Sequence, residues 1–124
     1  MSYNSTGLDH QKVQWIQELI TTCKIGCFQL QEHFKASKSV DSYFKQKFDK
    51  CESYVVPAHR EILLGTGRPK GGLAQMVDKQ LSIKKEKIRH WRTQALVLHI
   101  GSYRILWINC YFPTDNLTMV NEDP

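Results

Sequence analysis

Glu32 is the acidic residue whose position in the chain most favours chemistry. It directly follows the mainly apolar run of residues 25–31, whose length and composition are typical of a buried strand. In α/β proteins, ligands and metal ions bind at the carboxyl ends of such strands. An unpaired buried carboxylate is costly, whereas a hard divalent cation needs oxygen ligands of this kind. We therefore expect Glu32 to be a metal ligand, although a solvent-facing glutamate at a strand end fits the same pattern.

Two further polar groups lie at the edges of apolar segments, one towards each end of the chain. Asn4 follows Tyr3 near the start, and Tyr111 lies within residues 109–114. An asparagine amide can hydrogen-bond an oxyanion, and a tyrosine hydroxyl can orient a phosphate. Taken singly, each is more often a turn residue or a half-buried core residue, so only their combination with Glu32 suggests a site.

The elements that must position these residues follow from the spacing of apolar side chains. Helical spacing predicts helices over residues 9–22, with Asp9 as N-cap, and from residue 39 or 40 to about residue 48. Short apolar runs predict strands at residues 24–31, 54–56, 73–77, 80–83, 93–100 and 104–111. Gly101-Ser102 should join the last two as a tight turn. This order indicates an α/β class with at least one mixed sheet.

The last predicted strand differs from the others because residues 105–108 are apolar throughout. Continuous apolar runs are typical of strands that are buried on both faces. We therefore predict that this strand is central in its sheet. Such a strand needs neighbours on both sides, and few further strand candidates are present in the sequence.

Length and composition restrict the class of protein. With 124 residues and 41% apolar content, the chain is long enough for one small domain and too short for two. It contains no apolar stretch of transmembrane length, and its first residues do not read as a signal peptide. The four cysteines lack a second pair at zinc-site spacing. We expect an intracellular protein, nuclear or cytoplasmic, without a membrane partner.

Positive charge is concentrated in one stretch. The net charge is +5, and residues 68–92 contain eight lysines and arginines against only Asp78 and Glu86. Such a concentration suits a polyanionic partner such as nucleic acid. A solvated face that keeps the protein soluble explains it equally well.

Taken in order, four short pieces of the sequence resemble the endonuclease/exonuclease/phosphatase superfamily. They are Tyr3-Asn4 with Gly7-Leu8, Leu30-Gln31-Glu32, the glycine-rich residues 67–74, and Ile108-Asn109-Cys110-Tyr111-Phe112-Pro113. Within the superfamily, the likeness is strongest to the apurinic-endonuclease-like domains at the front of non-LTR retrotransposon polyproteins. The resemblance implies a partial two-sheet α/β sandwich formed by residues 1–124, with the C-terminal half of the domain missing.

The resemblance also implies roles for individual residues. Asn4 matches an active-site asparagine that helps to hold the metal-bound phosphate, and Glu32 matches the glutamate that binds Mg²⁺ (or Mn²⁺). Tyr111 matches the tyrosine that contacts the scissile phosphate. In the glycine-rich loop, Arg68 and Lys70 would contact the phosphates of a nucleic acid, with DNA as the expected partner.

The sequence departs from the family's pattern in its catalytic residues. A later Asp-x-Asn, which positions the attacking water, and a late Asp-His pair are both missing. His33 adjoins Glu32 but would point to the opposite face of a continuing strand. Hydrolysis needs a positioned nucleophile as well as a metal. We therefore expect a nuclease fragment that is inactive alone, with a non-catalytic nucleic-acid-binding module or a small α/β interaction protein as alternatives.

Overall fold

The protein is a two-sheet α/β structure with both helices packed on one sheet. The structure is a computed structural model that describes residues 1–36, 38–58, 70–90 and 92–112, with residues 82–87 described by their backbone alone. The elements in chain order are β1 (Ser2–Asn4), α1 (His10–Thr22), β2 (Cys27–Gln31), α2 (Val40–Lys47), β3 (Cys51–Val56), β4 (Leu73–Asp78), β5 (Ser82–His90), β6 (Thr93–Ile100) and β7 (Tyr103–Cys110).

Both helices form where apolar spacing predicts them. In α1 the Asp9 carboxylate accepts a hydrogen bond from the Lys12 backbone N–H at 2.8 Å, which satisfies an amide of the first turn. Val13 and Ile16 bury the inner face of this helix. The shorter α2 buries Val40 and Phe44 at the same helical spacing. Neither described helix has the length and hydrophobicity needed to span a bilayer.

The first sheet has the strand order β1-β2-β4-β3 and carries the main core. β1 runs parallel to β2, whereas β4 is antiparallel to both of its neighbours, β2 and β3. Side chains alternate across a strand, so Phe28 and Leu30 of β2 face the helices together with Ala74 and Met76 of β4. All four are buried to 1% exposure or less.

The second sheet is the antiparallel meander β5-β6-β7, and its inner face packs on the first sheet. Leu96 and Leu98 of β6 and Trp107 of β7 join Val77 of the first sheet in a second apolar cluster. Beside this cluster, the layer between the sheets also contains polar side chains. Gln75, Gln94 and Asn109 are all fully buried there.

Strand β7 contradicts the prediction that it is central and buried on both faces. In the described part of the chain it pairs only with β6, so it is an edge strand. Ile105 is 42% exposed, Leu106 56% and Ile108 46%. These apolar side chains are partly exposed because no described element packs over them.

Two other strands differ from their predicted forms. β5 covers Ser82–His90 rather than residues 80–83, because a strand with many charged residues lacks the apolar alternation on which that prediction relied. β1 is three residues long and was not predicted as a strand. It forms because β2 offers a parallel partner, with Tyr3 aligned to Leu30.

Candidate functional site

Asn4 lies at the end of β1, beside the end of β2. The parallel register aligns Asn4 with Gln31, so both strands present their carboxyl ends at the same edge of the first sheet. The Asn4 Oδ1 atom accepts hydrogen bonds from the Thr6 backbone N–H at 3.1 Å and from the Thr6 hydroxyl at 3.2 Å. These bonds turn the chain away from the strand and leave Asn4 exposed at this edge.

Glu32 directly follows β2 and has a left-handed backbone, with φ of 58°. Its N–H donates to the Gly72 carbonyl at 2.9 Å. Its own carbonyl accepts from the Gly7 N–H at 2.7 Å and from the Ser5 hydroxyl at 2.9 Å. A non-glycine residue rarely adopts this conformation, and such strain is found disproportionately at functional sites. The backbone of Glu32 is therefore held from both sides, by the segment after β1 and by the segment before β4.

Gly71 and Gly72 form the turn that leads into β4, with φ of 78° and 95°. A Cβ atom at Gly72 would lie 2.6 Å from both ring nitrogens of His33. A Cβ atom at Gly71 would lie 3.8 Å from Cε2 of Tyr111. Both glycines are therefore needed for conformation, and at Gly72 the close approach of the ring adds a second requirement.

His33 is buried against this turn rather than on the opposite face of a continuing strand, so that prediction is wrong. The left-handed backbone at Glu32 ends the alternation of side chains before His33 is reached. His33 Nδ1 accepts from the Lys35 N–H at 3.0 Å, which assigns the proton to Nε2, and Nε2 donates to the Val56 carbonyl at 3.0 Å.

Burial controls the ionisation of His33. It lowers the pKa of the imidazole from 6.5 to about 4, and hydrogen bonds to the Val56 and Leu73 backbone offset only part of this shift. The ring is neutral at physiological pH. It therefore braces the segment that carries Glu32 without placing a charge beside it.

Tyr111 reaches the same edge from the second sheet. Asn109 of β7 bonds the Leu30 carbonyl, and Gln75 bonds the Trp107 carbonyl. Because Gln75 is aligned with Gln29 in β2, these contacts show that β7 runs in the same direction as β2. The residue after β7 therefore emerges beside the ends of β1 and β2. The Tyr111 N–H donates to the Arg92 carbonyl at 3.0 Å.

The structure thus brings Asn4, Glu32 and Tyr111 to one edge of the sandwich, although they are far apart in sequence. Lys70 is exposed directly before Gly71, at the same edge. Arg68 lies outside the described residues. Sequence reasoning missed the bracing role of His33 and the buried position of Asn109. An asparagine within an otherwise apolar strand was the available signal for the second.

The donor set limits what kind of metal site is possible. No group of three or more His, Cys, Asp or Glu side chains suited to a metal ion occurs in the part of the chain that the structure describes. Mg²⁺ commonly binds through one or two carboxylates and completes its shell with water and substrate phosphate. A single carboxylate at Glu32 fits such a partly hydrated ion and does not fit a cation enclosed by protein alone.

Comparison with known proteins identifies the fold. Neither protein-family models nor curated protein sequences match this chain. Among solved structures, the chain is similar to the AP endonuclease LMAP from Leishmania major, with a TM-score of 0.69 and 14% identity over 97% of this chain and 42% of that one. It is also similar to truncated Caenorhabditis elegans TDP2, with a TM-score of 0.60 and 15% identity over 99% of this chain and 55% of that one.

The chain thus spans about half the length of these neighbours. At such low identity the likeness shows the fold alone. The two mixed α/β layers agree with the partial sandwich predicted from the sequence pieces, and the chain has an endonuclease/exonuclease/phosphatase-like fold.

Proposed function

We propose that this chain is the metal- and phosphate-binding part of a Mg²⁺-dependent (or Mn²⁺-dependent) phosphodiesterase that acts on DNA, and that it does not cleave DNA alone. The proposal includes an origin in a domain of the non-LTR retrotransposon type and a nuclear or cytoplasmic location. The observation that carries it is the meeting of Asn4, Glu32 and Tyr111 at one edge, each at or directly after a strand end. One of the neighbours in fold is an AP endonuclease.

Each residue has a chemically distinct part in the proposal. The Glu32 carboxylate is the protein ligand of the cation, which when bound would neutralise charge on the phosphate oxygens. Asn4 Oδ1 is already engaged by Thr6, so the Asn4 Nδ2 group is the donor to a phosphate oxygen. The Tyr111 hydroxyl donates to a second phosphate oxygen. Lys70, and Arg68 in the preceding segment, neutralise the flanking backbone phosphates.

Inactivity of the isolated chain follows from what this set of groups can do. Asn4 and Tyr111 bind and orient a phosphate, but neither is a general base that activates water near neutral pH. His33 is buried and hydrogen-bonded through both ring nitrogens, so it cannot take that role. The groups that position the attacking water are proposed to belong to the half of the domain that this chain does not span.

Titration with Mn²⁺ tests the metal part of the proposal. Isothermal titration of the purified chain should give binding heat that is lost in Glu32→Gln. Glu18→Gln is the matched control, because Glu18 is an exposed glutamate on α1. Equal heats for wild type and Glu32→Gln would contradict the metal assignment.

A DNA assay tests the substrate part. A duplex with one abasic site should bind more tightly in the presence of Mg²⁺, and Tyr111→Phe and Glu32→Gln should each weaken this binding about tenfold. No strand cleavage is expected from the chain alone. Robust cleavage that disappears in Glu32→Gln would confirm the site and contradict the proposed inactivity.

A non-catalytic nucleic-acid-binding module is the second candidate, favoured by the concentration of positive charge in residues 68–92. This alternative predicts DNA affinity that falls steeply with salt but is unchanged by Mg²⁺ and by Glu32→Gln. If the chain shows no heat of Mn²⁺ binding and does not bind DNA, a small α/β interaction protein becomes the better explanation.

A further inference from the structure

Asn109 is a fully buried polar residue in the layer between the two sheets, two positions before Tyr111. Its Oδ1 atom accepts a hydrogen bond of 2.6 Å from Nε2 of Gln31, which is the last residue of β2 and precedes Glu32. The same Gln31 Nε2 atom lies 3.0 Å from the Ser2 hydroxyl of β1. One side chain of the second sheet is thereby joined to both strands whose ends carry Asn4 and Glu32.

The amide nitrogen of Asn109 makes a wider set of contacts. Nδ2 donates to the Leu30 carbonyl at 3.0 Å and to the Gln94 Oε1 atom at 2.9 Å, with the Ala74 carbonyl at 3.3 Å. These acceptors belong to β2, β6 and β4. An aspartate lacks the donors and a leucine has neither donor nor acceptor, so only an amide of this length satisfies all the partners.

We propose that Asn109 is a positioning residue for Tyr111, and that it acts by fixing the position of β7 along the direction of β2. This inference rests on the proposed function of Tyr111 at the phosphate. A slip of β7 by one residue would displace Tyr111 by about 3.3 Å along the strand and move Asn109 to the opposite face of the sheet. Such a slip would break the hydrogen bonds of Asn109 to the Leu30 carbonyl and to Gln94 Oε1, which opposes it.

The backbone of Tyr111 is bonded within the second sheet, whereas the Asn109 side chain bonds the first sheet. The Tyr111 N–H bonds the Arg92 carbonyl, which belongs to the turn before β6 and therefore holds Tyr111 to its own sheet. Towards the first sheet its ring adjoins Gly71. Gln75 also links the sheets, through the Trp107 carbonyl at 3.0 Å, but four residues before Tyr111. Gln75 thus provides a matched comparison within the same layer.

Fluorine NMR of the chain labelled with 3-fluorotyrosine tests the positioning without any assay of activity. Tyr111→Phe identifies the Tyr111 signal among the five tyrosines. We expect this signal to shift or broaden in Asn109→Ala, and to remain unchanged in Gln75→Ala, which loses a link of the same layer. An equal change of the Tyr111 signal in Asn109→Ala and Gln75→Ala would mean that Asn109 has only a general structural role, and would overturn the proposal.

A milder pair of variants keeps the test decisive if Asn109→Ala does not fold. Gln31→Met removes the partner of Asn109 Oδ1, together with the bond from Gln31 to Ser2, and should displace the Tyr111 signal. Gln29→Met is its control, because Gln29 lies on the same strand and also contacts Ser2, at 3.3 Å, but has no contact with Asn109 in the described structure. An unchanged signal in Gln31→Met, or an equal change in Gln29→Met, would overturn the proposal.

DNA affinity separates this inference from the proposed function. In the presence of Mg²⁺, Asn109→Ala should weaken binding of the abasic duplex about tenfold, and it should add nothing further in a Tyr111→Phe background. If Tyr111→Phe itself leaves affinity unchanged, the proposed function fails while the fluorine experiment still decides whether Asn109 positions the ring. If the double variant loses affinity by the product of the two single-variant factors, Asn109 acts independently of Tyr111 and the inference fails.

Discussion

The two sheets differ in how their outer faces are covered. The first sheet packs α1 and α2 on its outer face, and its Leu30 is fully buried. The second sheet has no described element on its outer face, and its edge strand β7 leaves Leu106 and Ile108 about half exposed. Burial of apolar surface is the main source of stability, so most of the stabilisation resides in the first sheet.

This difference also separates two contributions to the candidate site. Asn4, Glu32 and the Gly71-Gly72 turn all belong to the well-packed first sheet, whereas Tyr111 comes from the poorly covered second sheet. Exposed apolar groups on an edge strand invite pairing with other chains or further elements. The second sheet therefore leaves apolar surface open to further contacts, and it delivers Tyr111 to a framework that the first sheet supplies.

The same substitution in both sheets gives the largest expected contrast. Leu30→Ala should lower the free energy of unfolding by about 4 kcal/mol, since it empties a fully buried position. Leu106→Ala should lower it by less than about 1 kcal/mol, because the side chain is 56% exposed. Urea unfolding measures both values. Similar losses would mean that the outer face of the second sheet is covered in solution as well.

Glycine substitutions sharpen the contrast at two turns. Gly72→Ala should cost on the order of 3 kcal/mol, because it combines a left-handed backbone with a Cβ atom 2.6 Å from the hydrogen-bonded His33 nitrogens. Gly101→Ala, in the hairpin of the second sheet, should cost only about 1 kcal/mol, because no atom of the described residues beyond the chain neighbours lies within 4 Å of the added Cβ atom. Thermal unfolding compares the two, and equal costs would show that the His33 ring moves aside freely.

Acid should weaken the first sheet through His33. Its pKa is 6.5 when unfolded and about 4 when folded, so between these values only the unfolded chain binds the proton. The contribution of neutral His33 to the free energy of unfolding is therefore fully present above pH 6.5. It falls by about 3 kcal/mol as the pH drops to 4. Urea titrations across this range measure the loss. His33→Asn should remove this component of the pH dependence, and an unaltered profile in that variant would assign it to other groups.

Hydrogen exchange should reveal the difference between the sheets within the intact protein, without any substitution. Amides of β4 bond strands on both sides, whereas β7 has one described partner, so alternate β7 amides face away from β6. We expect those β7 amides to exchange at least about a hundredfold faster than β4 amides in native-state exchange followed by NMR. Comparable protection would indicate that another strand, from a second copy or another protein, pairs with β7.

Local pattern accounts for what could be predicted from the sequence. The two helices and the hairpin at Gly101-Ser102 follow from residues close together in the chain. The position of Glu32 after a buried strand is local as well. The meeting of Asn4 with Glu32 and Tyr111 needed the family resemblance, since strand order and direction depend on distant pairings that no local pattern encodes.

Other features were inaccessible for identifiable physical reasons. The exposure of Ile108 depends on which neighbours are present, whereas the sequence reports only that the side chain is apolar. The burial of His33 depends on the unusual backbone at Glu32, which no propensity predicts. The contacts of Asn109 join four strands, and they exist only after both sheets have assembled.

The close approach of Gly72 to His33 also restricts how this protein can evolve. A side chain at position 72 meets the imidazole, so a larger residue there is acceptable only in lineages that have already replaced the ring with something small. Replacing the ring first removes two hydrogen bonds and leaves a void, which selection would act against. Each single step is unfavourable, so the two positions should change together or remain fixed together among relatives.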